Sequence, residues 1–121
     1  MKHLLIVEDD SNTLDGMIVL LRDEGFDVHG AMNGAEAIES VSGGSFDMVI
    51  CDYCLPDIDG LETCLRLKAL DANLPIFLVT ACYDTRIFRD AALYGIRKVF
   101  TKPIEFDDLL QTLANDQLNN N

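Results

Sequence analysis

Residues 47–56 decide the fold prediction, and they read Asp-Met-Val-Ile-Cys-Asp-Tyr-Cys-Leu-Pro. The apolar run Met48–Cys51 is typical of a short strand that is buried on both faces of a sheet. Asp52 follows where this strand runs out, and the acids Glu8-Asp9-Asp10 follow another apolar run, Leu4–Val7. If both strands deliver carboxylates to one edge of a sheet, the sequence predicts a site for a hard cation. A carboxylate beside a cation can also attack phosphorus.

Short apolar runs and helical patterns alternate along the rest of the chain. Further strands are predicted at Phe26–Ala31, Ile76–Val79 and Lys98–Thr101. Between the strands, apolar residues recur at the spacing of amphipathic helices, with Asn33 as the N-cap of the second helix. These residues are Leu14, Met17, Ile18 and Leu21, then Ala37, Ile38 and Val41, then Leu61, Cys64 and Leu65, then Ile87, Phe88, Ala91 and Ala92, and finally Phe106, Leu109, Leu110 and Leu113. The resulting βαβαβαβαβα order predicts an α/β domain with a parallel sheet and helices on both faces.

Binding sites of such sheets form outside the carboxyl ends of the strands. This rule places Glu8, Asp9, Asp52, Thr80 and Lys102 at one rim, because each ends or follows a predicted strand. Acids packed together would raise one another's pKa unless a cation neutralises them, and all-oxygen ligation suits Mg²⁺. The threonine and the lysine can supply a hydrogen bond and a positive charge to a phosphoryl group.

The composition limits the classes of function. The chain has 121 residues, 49% of them apolar, which is typical of one globular domain. With 21 acidic and nine basic side chains its formal net charge is −12, so we expect no nucleic-acid binding by this domain. The first residues lead straight into a strand rather than a signal peptide, and no run approaches the roughly 20 apolar residues of a membrane span. We therefore expect a soluble, cytoplasmic protein that does not enter a membrane.

Cysteine and histidine side chains offer further ligand atoms. The four cysteines lie in or beside predicted strands and helices, which does not suit a secreted disulfide framework. Cys51 and Cys54 form one C-x-x-C pair, but no matching pair follows, so metal or redox use of the pair is a minor alternative. His3 and His29 have no ligand partners in the sequence, and we expect them to be structural or surface groups.

Together these motifs resemble the receiver domains of bacterial two-component response regulators. The resemblance covers residues 3–114 and rests on Val7-Glu8-Asp9-Asp10, on Asp52 with Leu55-Pro56-Asp57 and Gly60, on Thr80-Ala81, and on Lys102-Pro103. It implies a flavodoxin-like (βα)5 fold, a doubly wound five-stranded parallel sheet with strand order 2-1-3-4-5. It also implies a receiver domain at residues 1–114, followed at residues 115–121 by a polar tail or the start of a linker.

The resemblance implies a role for each acid at the rim. Asp52 is expected to be the phosphoacceptor, taking a phosphoryl group from a histidine kinase or a histidine phosphotransfer protein. Glu8, Asp9, Asp52 and the backbone carbonyl of Cys54 are expected to hold Mg²⁺, with Mn²⁺ as another suitable cation. Asp10 is expected to lie outside the metal ligands or to be only a helix cap.

The phosphoryl-binding groups are likewise implied by the resemblance. Thr80 is expected to be the switch hydroxyl, and Ala81 is a small neighbour that keeps the phosphoryl group accessible. Lys102 is expected to bind the phosphoryl group, and its peptide bond to Pro103 is expected to be cis. Receiver domains usually carry Tyr or Phe three residues before this lysine, but here the residue is Val99.

Val99 and the cysteines near the site depart from the family pattern. Phe100 follows Val99 and, by strand alternation, is expected to point to the opposite face, so the switch is expected to be muted or carried by another group. Cys54 and Cys82 stand two residues after the phosphoacceptor and the switch threonine, where thiols position a hydrolytic water poorly. We therefore expect slow self-dephosphorylation. A sharper hypothesis is a disulfide between these two cysteines, which a reducing cytosol disfavours.

The sequence thus predicts a phosphorylatable receiver domain that catalyses its own phosphorylation and slow dephosphorylation and is otherwise not an enzyme. It is expected to signal to an effector domain or protein through the face of the fourth helix, fifth strand and fifth helix, as a monomer or a phosphorylation-dependent homodimer. A non-phosphorylated receiver-like interaction module is one alternative, which Val99 favours. A small Mg²⁺-dependent aspartyl-phosphate phosphatase of the haloacid dehalogenase type is another, although it would need an acid where Cys54 stands.

Overall fold

A computed structural model describes residues 2–119 and the side chains of residues 2–116. Within these residues five strands alternate with five helices. They are β1 (His3–Val7), α1 (Ser11–Asp23), β2 (Asp27–Ala31), α2 (Gly34–Gly43), β3 (Met48–Asp52), α3 (Gly60–Leu70), β4 (Ile76–Thr80), α4 (Thr85–Leu93), β5 (Lys98–Thr101) and α5 (Phe106–Asn119). All the strand pairs are parallel, in the order β2-β1-β3-β4-β5. The predicted doubly wound (βα)5 sheet with strand order 2-1-3-4-5 is confirmed.

The two faces of the sheet are covered by different helices. Leu5 and its neighbours on one face pack with buried residues of α2, α3 and α4, while Leu4 and Ile6 pack with α1 and α5 on the other. Because β1, β3 and β4 are buried on both faces, their sequences are continuously apolar rather than alternating. This explains why the three runs are easy to recognise in the sequence.

Side-chain caps fix where the helices begin. Asp10 caps α1 and accepts a hydrogen bond of 3.0 Å from the backbone N–H of Thr13, which confirms the helix-cap prediction for this acid. Asn33 caps α2 through the N–H of Glu36 at 2.8 Å, as predicted. Asp59 caps α3 in the same way. These caps satisfy backbone N–H groups that the first turns of the helices would otherwise leave unpaired.

Some predicted boundaries differ from those observed. Strands β3 and β4 each include one more residue than the apolar run, so Asp52 and Thr80 are strand residues. The polar tail predicted from residue 115 is helical as far as Asn119, because α5 continues and buried Asp116 forms an ion pair of 2.9 Å with Arg97. Residues 120 and 121 lie outside the described part. No helix among the described residues is long and apolar enough to cross a membrane.

Candidate functional site

Three carboxylates meet at the carboxyl edge of the sheet. Glu8 and Asp9 follow β1, and Asp52 is the last residue of β3. The parallel pairing of β1 with β3 brings these chain segments side by side, and one oxygen of each acid lies within 4.8 Å of the others. Glu8 and Asp52 are buried, with 4% and 6% of their surface exposed, whereas Asp9 is exposed. The site therefore has two inner carboxylates and one that faces solvent.

A lysine from the end of β5 reaches into this acidic cluster. The Nζ of Lys102 lies 2.7 Å from Oδ2 of Asp52 and 3.6 Å from Oε1 of Glu8. The other oxygen of Asp52, Oδ1, accepts a hydrogen bond of 3.2 Å from the backbone N–H of Cys54. Both oxygens of Asp52 are thus held in place. The bond between Lys102 and Pro103 is cis.

The charges of the cluster are not balanced. The pKa of Glu8 is raised from 4.5 to about 7, first by burial and then by the hydrogen bond and negative charge of Asp52, while Lys102 opposes the rise. Burial alone would lower the pKa of Lys102, but the hydrogen bond and charge of Asp52 raise it above its ordinary value. One lysine therefore does not compensate three acids, and oxygen ligands of this number and charge fit a hard divalent cation.

Thr80 lies at the end of β4, beside the acids. It is 1% exposed, and its hydroxyl accepts a hydrogen bond of 3.0 Å from the backbone N–H of Cys82. Its carbonyl accepts a hydrogen bond of 2.8 Å from the N–H of Lys102, which ties the two segments together. Ala81 is exposed. Cys54 and Cys82 are free and exposed, and the disulfide between them stays a prediction.

Val99 and Phe100 lie on opposite faces of the sheet, as strand alternation predicts. Val99 is half-buried against the core beneath α2, α3 and α4, whereas Phe100 is buried on the α1 and α5 side. The ring of Phe100 packs 6.4 Å from that of Phe77, with the Lys98 ammonium 4.7 Å above it. Phe100 is therefore a core residue rather than a replacement for an aromatic ring at position 99.

Three residues near the site have contacts that the sequence reasoning missed. Tyr83 is 81% exposed, and its hydroxyl lies 3.3 Å from Oγ1 of Thr101, next to the lysine. Asp57 accepts hydrogen bonds of 2.9 Å from the first two N–H groups of α2, so it anchors the loop that follows the phosphoacceptor candidate. A Cβ on Gly60 would overlap the carbonyl oxygen of Asp52. In the sequence, Tyr83 could have been noticed only from its position three residues after Thr80.

A groove of about 540 Å³ opens beside the acidic cluster, between α1 and α5. Its walls are apolar side chains such as Met17, Leu20 and Phe106, and its inner end contains Glu8, Asp52 and Lys102. The groove thus combines an apolar approach with a charged end.

The sequence matches the response regulator receiver domain over residues 4–114. The transcriptional regulatory protein ZraR of Escherichia coli K12 is 34% identical over 110 residues, which are 91% of this chain and 25% of that protein. The transcriptional regulatory protein DltR of Streptococcus agalactiae serotype III is 33% identical over 108 residues, which are 89% of this chain and 48% of that protein. This chain spans about a quarter to a half of the length of these relatives.

Solved structures share the fold. A CheY-like receiver domain protein from Methanospirillum hungatei superposes with a TM-score of 0.93 at 26% identity, over 96% of this chain and 93% of that one. The response regulator TrrA of Thermotoga maritima, solved in complex with Mg²⁺-BeF, gives 0.86 at 29% identity, over 95% and 98%. The sequence match and the shared fold both extend over almost the whole chain, which therefore belongs to the response regulator receiver domain family.

Proposed function

We propose that Asp52 accepts a phosphoryl group in a Mg²⁺-dependent reaction and that the phosphorylated protein signals by changing its conformation. The observation that carries the proposal is the contact of 2.7 Å between Lys102 and Asp52 inside a cluster of three carboxylates. The likeness to TrrA, which was solved with Mg²⁺-BeF, supports the same chemistry. The phosphoryl donor is a histidine kinase or a histidine phosphotransfer protein, which can approach along the groove between α1 and α5.

The residues that would hold Mg²⁺ are Glu8, Asp9, Asp52 and the backbone carbonyl of Cys54, and Mn²⁺ suits the same oxygen ligands. When bound, such a cation neutralises the repulsion between a carboxylate nucleophile and a phosphoryl donor. The cluster fits this role because the negative charge of buried Glu8 is unfavourable without a cation, as its pKa of about 7, raised by burial and by Asp52, indicates.

Lys102 and Thr80 would bind the transferred phosphoryl group. The lysine now contacts the oxygen of Asp52 that is not held by Cys54, so its ammonium can follow the negative charge onto the phosphoryl oxygens. The hydroxyl of Thr80 accepts from the N–H of Cys82, which leaves its own proton free to be donated to a phosphoryl oxygen. Exposed Ala81 leaves room at the mouth of the site.

We propose the α4–β5–α5 face as the output surface towards an effector domain or protein. Large apolar side chains are exposed at the end of α4, with Leu93 at 74% and Tyr94 at 38%. Such a surface can bind an effector while the protein is a monomer, or it can bind a second copy in a phosphorylation-dependent homodimer. With valine at position 99, Tyr83 is the aromatic side chain that can report the state of the site, because it contacts Thr101 beside Lys102.

Other features of the proposal follow from the family. The domain turns over no separate substrate, dephosphorylates itself slowly because Cys54 and Cys82 flank the site, binds no nucleic acid itself and acts in the cytoplasm. The boundaries proposed from the sequence are a receiver domain to residue 114 and a polar tail or the start of a linker at residues 115–121, of which residues 115–119 form the end of α5. An aspartyl-phosphate phosphatase would need a second acid where Cys54 stands, whereas a non-phosphorylated interaction module would keep the fold and lose phosphoryl uptake.

Intact mass spectrometry after incubation with phosphoramidate tests the proposal. We expect wild-type protein to gain one phosphoryl group with Mg²⁺ and none with EDTA, and Asp52→Asn to gain none. Asp23→Asn is the matched control, because it makes the same change at an exposed aspartate at the end of α1, and it should still be phosphorylated. If wild type gains nothing with Mg²⁺, or Asp52→Asn gains as much as wild type, the proposal is wrong.

A further inference from the structure

Two histidines and an aspartate converge at the opposite, amino-terminal edge of the sheet. His3 begins β1, Asp27 begins β2, and His29 stands two residues further along β2. The register pairs His3 with Asp27 and Leu5 with His29, so alternation directs all three side chains to the same face. One ligand atom of each lies within 4.8 Å of the others. The fold thus gives these histidines candidate ligand partners that cannot be seen in the sequence.

The ring of His3 is held between two oxygen acceptors. Its Nδ1 lies 2.7 Å from the backbone carbonyl oxygen of Ser45, and its Nε2 lies 2.9 Å from Oδ2 of Asp27. A carbonyl oxygen only accepts hydrogen bonds, so Nδ1 carries a proton. The lone pair of an unprotonated Nε2 would then face a carboxylate, and that contact is favourable only if a cation lies there, either a proton or a metal ion.

The same arrangement orients histidines that bind metals. A metal-ligating imidazole usually donates its other N–H to a carbonyl or carboxylate, which fixes the ring. The ring of His3 also stacks on Phe46, with centroids 4.9 Å apart and planes at 22°. His3 is thus an oriented ligand whose Nε2 points toward the carboxylate of Asp27.

The remaining two groups are accessible from solvent. Asp27 and His29 are exposed, and the ring of His29 lies edge-on to that of His3 at 5.5 Å. Ligands about 2.0 Å from a tetrahedral metal lie about 3.3 Å apart, so small side-chain rotations bring the three groups to that spacing. A water molecule or an external group can complete the coordination.

We propose that His3, Asp27 and His29 form a binding site for a borderline divalent transition metal of the Zn²⁺ class. Two imidazoles and one carboxylate suit such ions, whereas Mg²⁺ prefers oxygen ligands and therefore the acidic cluster at the other edge. The net charge of −12 attracts cations to the protein in general. The bound metal would link β1 to the edge strand β2. The inference does not depend on phosphorylation of Asp52.

Calorimetric titration with Zn²⁺ in the presence of excess Mg²⁺ tests the inference. We expect one Zn²⁺ to bind the wild-type chain, and His29→Gln or Asp27→Asn to weaken binding by about 100-fold or more, since even the partners of metal ligands are worth about 10- to 100-fold. Asp23→Asn is the charge-matched control, because it removes an exposed acid from the end of α1, four residues before Asp27, and it should leave the affinity unchanged.

Two further readings make the result decisive. Zn²⁺ should raise the melting temperature of wild type but not that of His29→Gln, whose melting temperature without metal shows that it folds. Co²⁺ should give a visible ligand-field absorption with wild type that His29→Gln lacks. If wild type binds no Zn²⁺, or His29→Gln binds it equally well, the proposal is wrong, and the contact between His3 and Asp27 is an ion pair only.

Discussion

The raised pKa of Glu8 predicts that Glu8→Gln stabilises the metal-free protein at alkaline pH. Burial and Asp52 raise the pKa of Glu8 from 4.5 to about 7 in the folded state. The folded protein therefore retains a proton that the unfolded chain releases, so this group's contribution to stability is full below pH 4.5 and is lost as the pH rises through 7. Above that pH the wild type carries a charged, buried Glu8 next to Asp52, and glutamine removes this charge.

The size of the effect follows from the two pKa values. The interval from 4.5 to about 7, at about 1.4 kcal/mol for each pKa unit, gives a gain of at most about 3.5 kcal/mol at pH 8. Well below pH 4.5 the glutamate is neutral in the folded and the unfolded chain, as glutamine is, so the difference between variant and wild type should vanish. The attraction of Lys102, which lies 3.6 Å from Glu8, is already contained in this limit, because it opposes the rise in pKa.

Urea denaturation in EDTA at pH 5 and pH 8 measures the free energy of unfolding. Glu39→Gln is the control, because it removes an exposed glutamate from α2 and should change stability little at either pH. Adding Mg²⁺ at pH 8 should stabilise wild type more than Glu8→Gln and so reduce the difference. A Glu8→Gln protein that is no more stable than wild type at pH 8 without Mg²⁺ would refute the reasoning.

Three further substitutions test the surroundings of the site. In urea denaturation, Gly60→Ala should lower the free energy of unfolding by about 3 kcal/mol, because the added Cβ would lie 2.5 Å from the Cα of Tyr53. Gly16→Ala, with open space around it in α1, should raise the free energy of unfolding by about 1 kcal/mol, and equal effects of the two substitutions would contradict this. Asp57→Asn should melt at a lower temperature than wild type at pH 7, because the two N–H groups of α2 stabilise the carboxylate and lower its pKa. The difference in melting temperature should disappear as the pH falls below about 4 through that lowered pKa, and a difference that does not depend on pH would contradict the reasoning. Tyr83→Phe should leave phosphoryl uptake unchanged but reduce the phosphorylation-dependent NMR shift of the Thr101 amide, and an undiminished shift would contradict the reporting role of the tyrosine.

The fold can be predicted from this sequence because burial on both faces makes the central strands continuously apolar. Met48–Asp52 and Ile76–Thr80 are buried at every position, so they could hardly be read as exposed or amphipathic segments. The convergence of Glu8, Asp9 and Asp52 was predictable for a related reason. All parallel strands end at the same edge, so residues that follow different strands meet without any knowledge of the loops.

Contacts that depend on register or on loop conformation could not be predicted in the same way. His3 and His29 become neighbours only because β2 pairs with β1 so that Asp27 lies opposite His3, and a shift of one residue would place the β2 side chains on the other face. Tyr83 lies in the loop between β4 and α4, and its contact with Thr101 depends on the path of that loop. The sequence contains the residues of both contacts, but no periodic pattern relates them.

The two candidate metal sites lie at opposite ends of the same strand and offer different ligands. His3 begins β1 and Glu8 follows its end, a separation of five residues or about 16 Å at the rise of a strand. This exceeds the Debye length of about 8 Å at physiological salt, so a Zn²⁺ ion at His3 would hardly change the charge balance around Asp52 through solvent. The ligand types also differ, since imidazoles at one end favour Zn²⁺ and carboxylates at the other favour Mg²⁺. If Zn²⁺ altered phosphorylation, the effect would therefore have to pass through the packing of β1 itself.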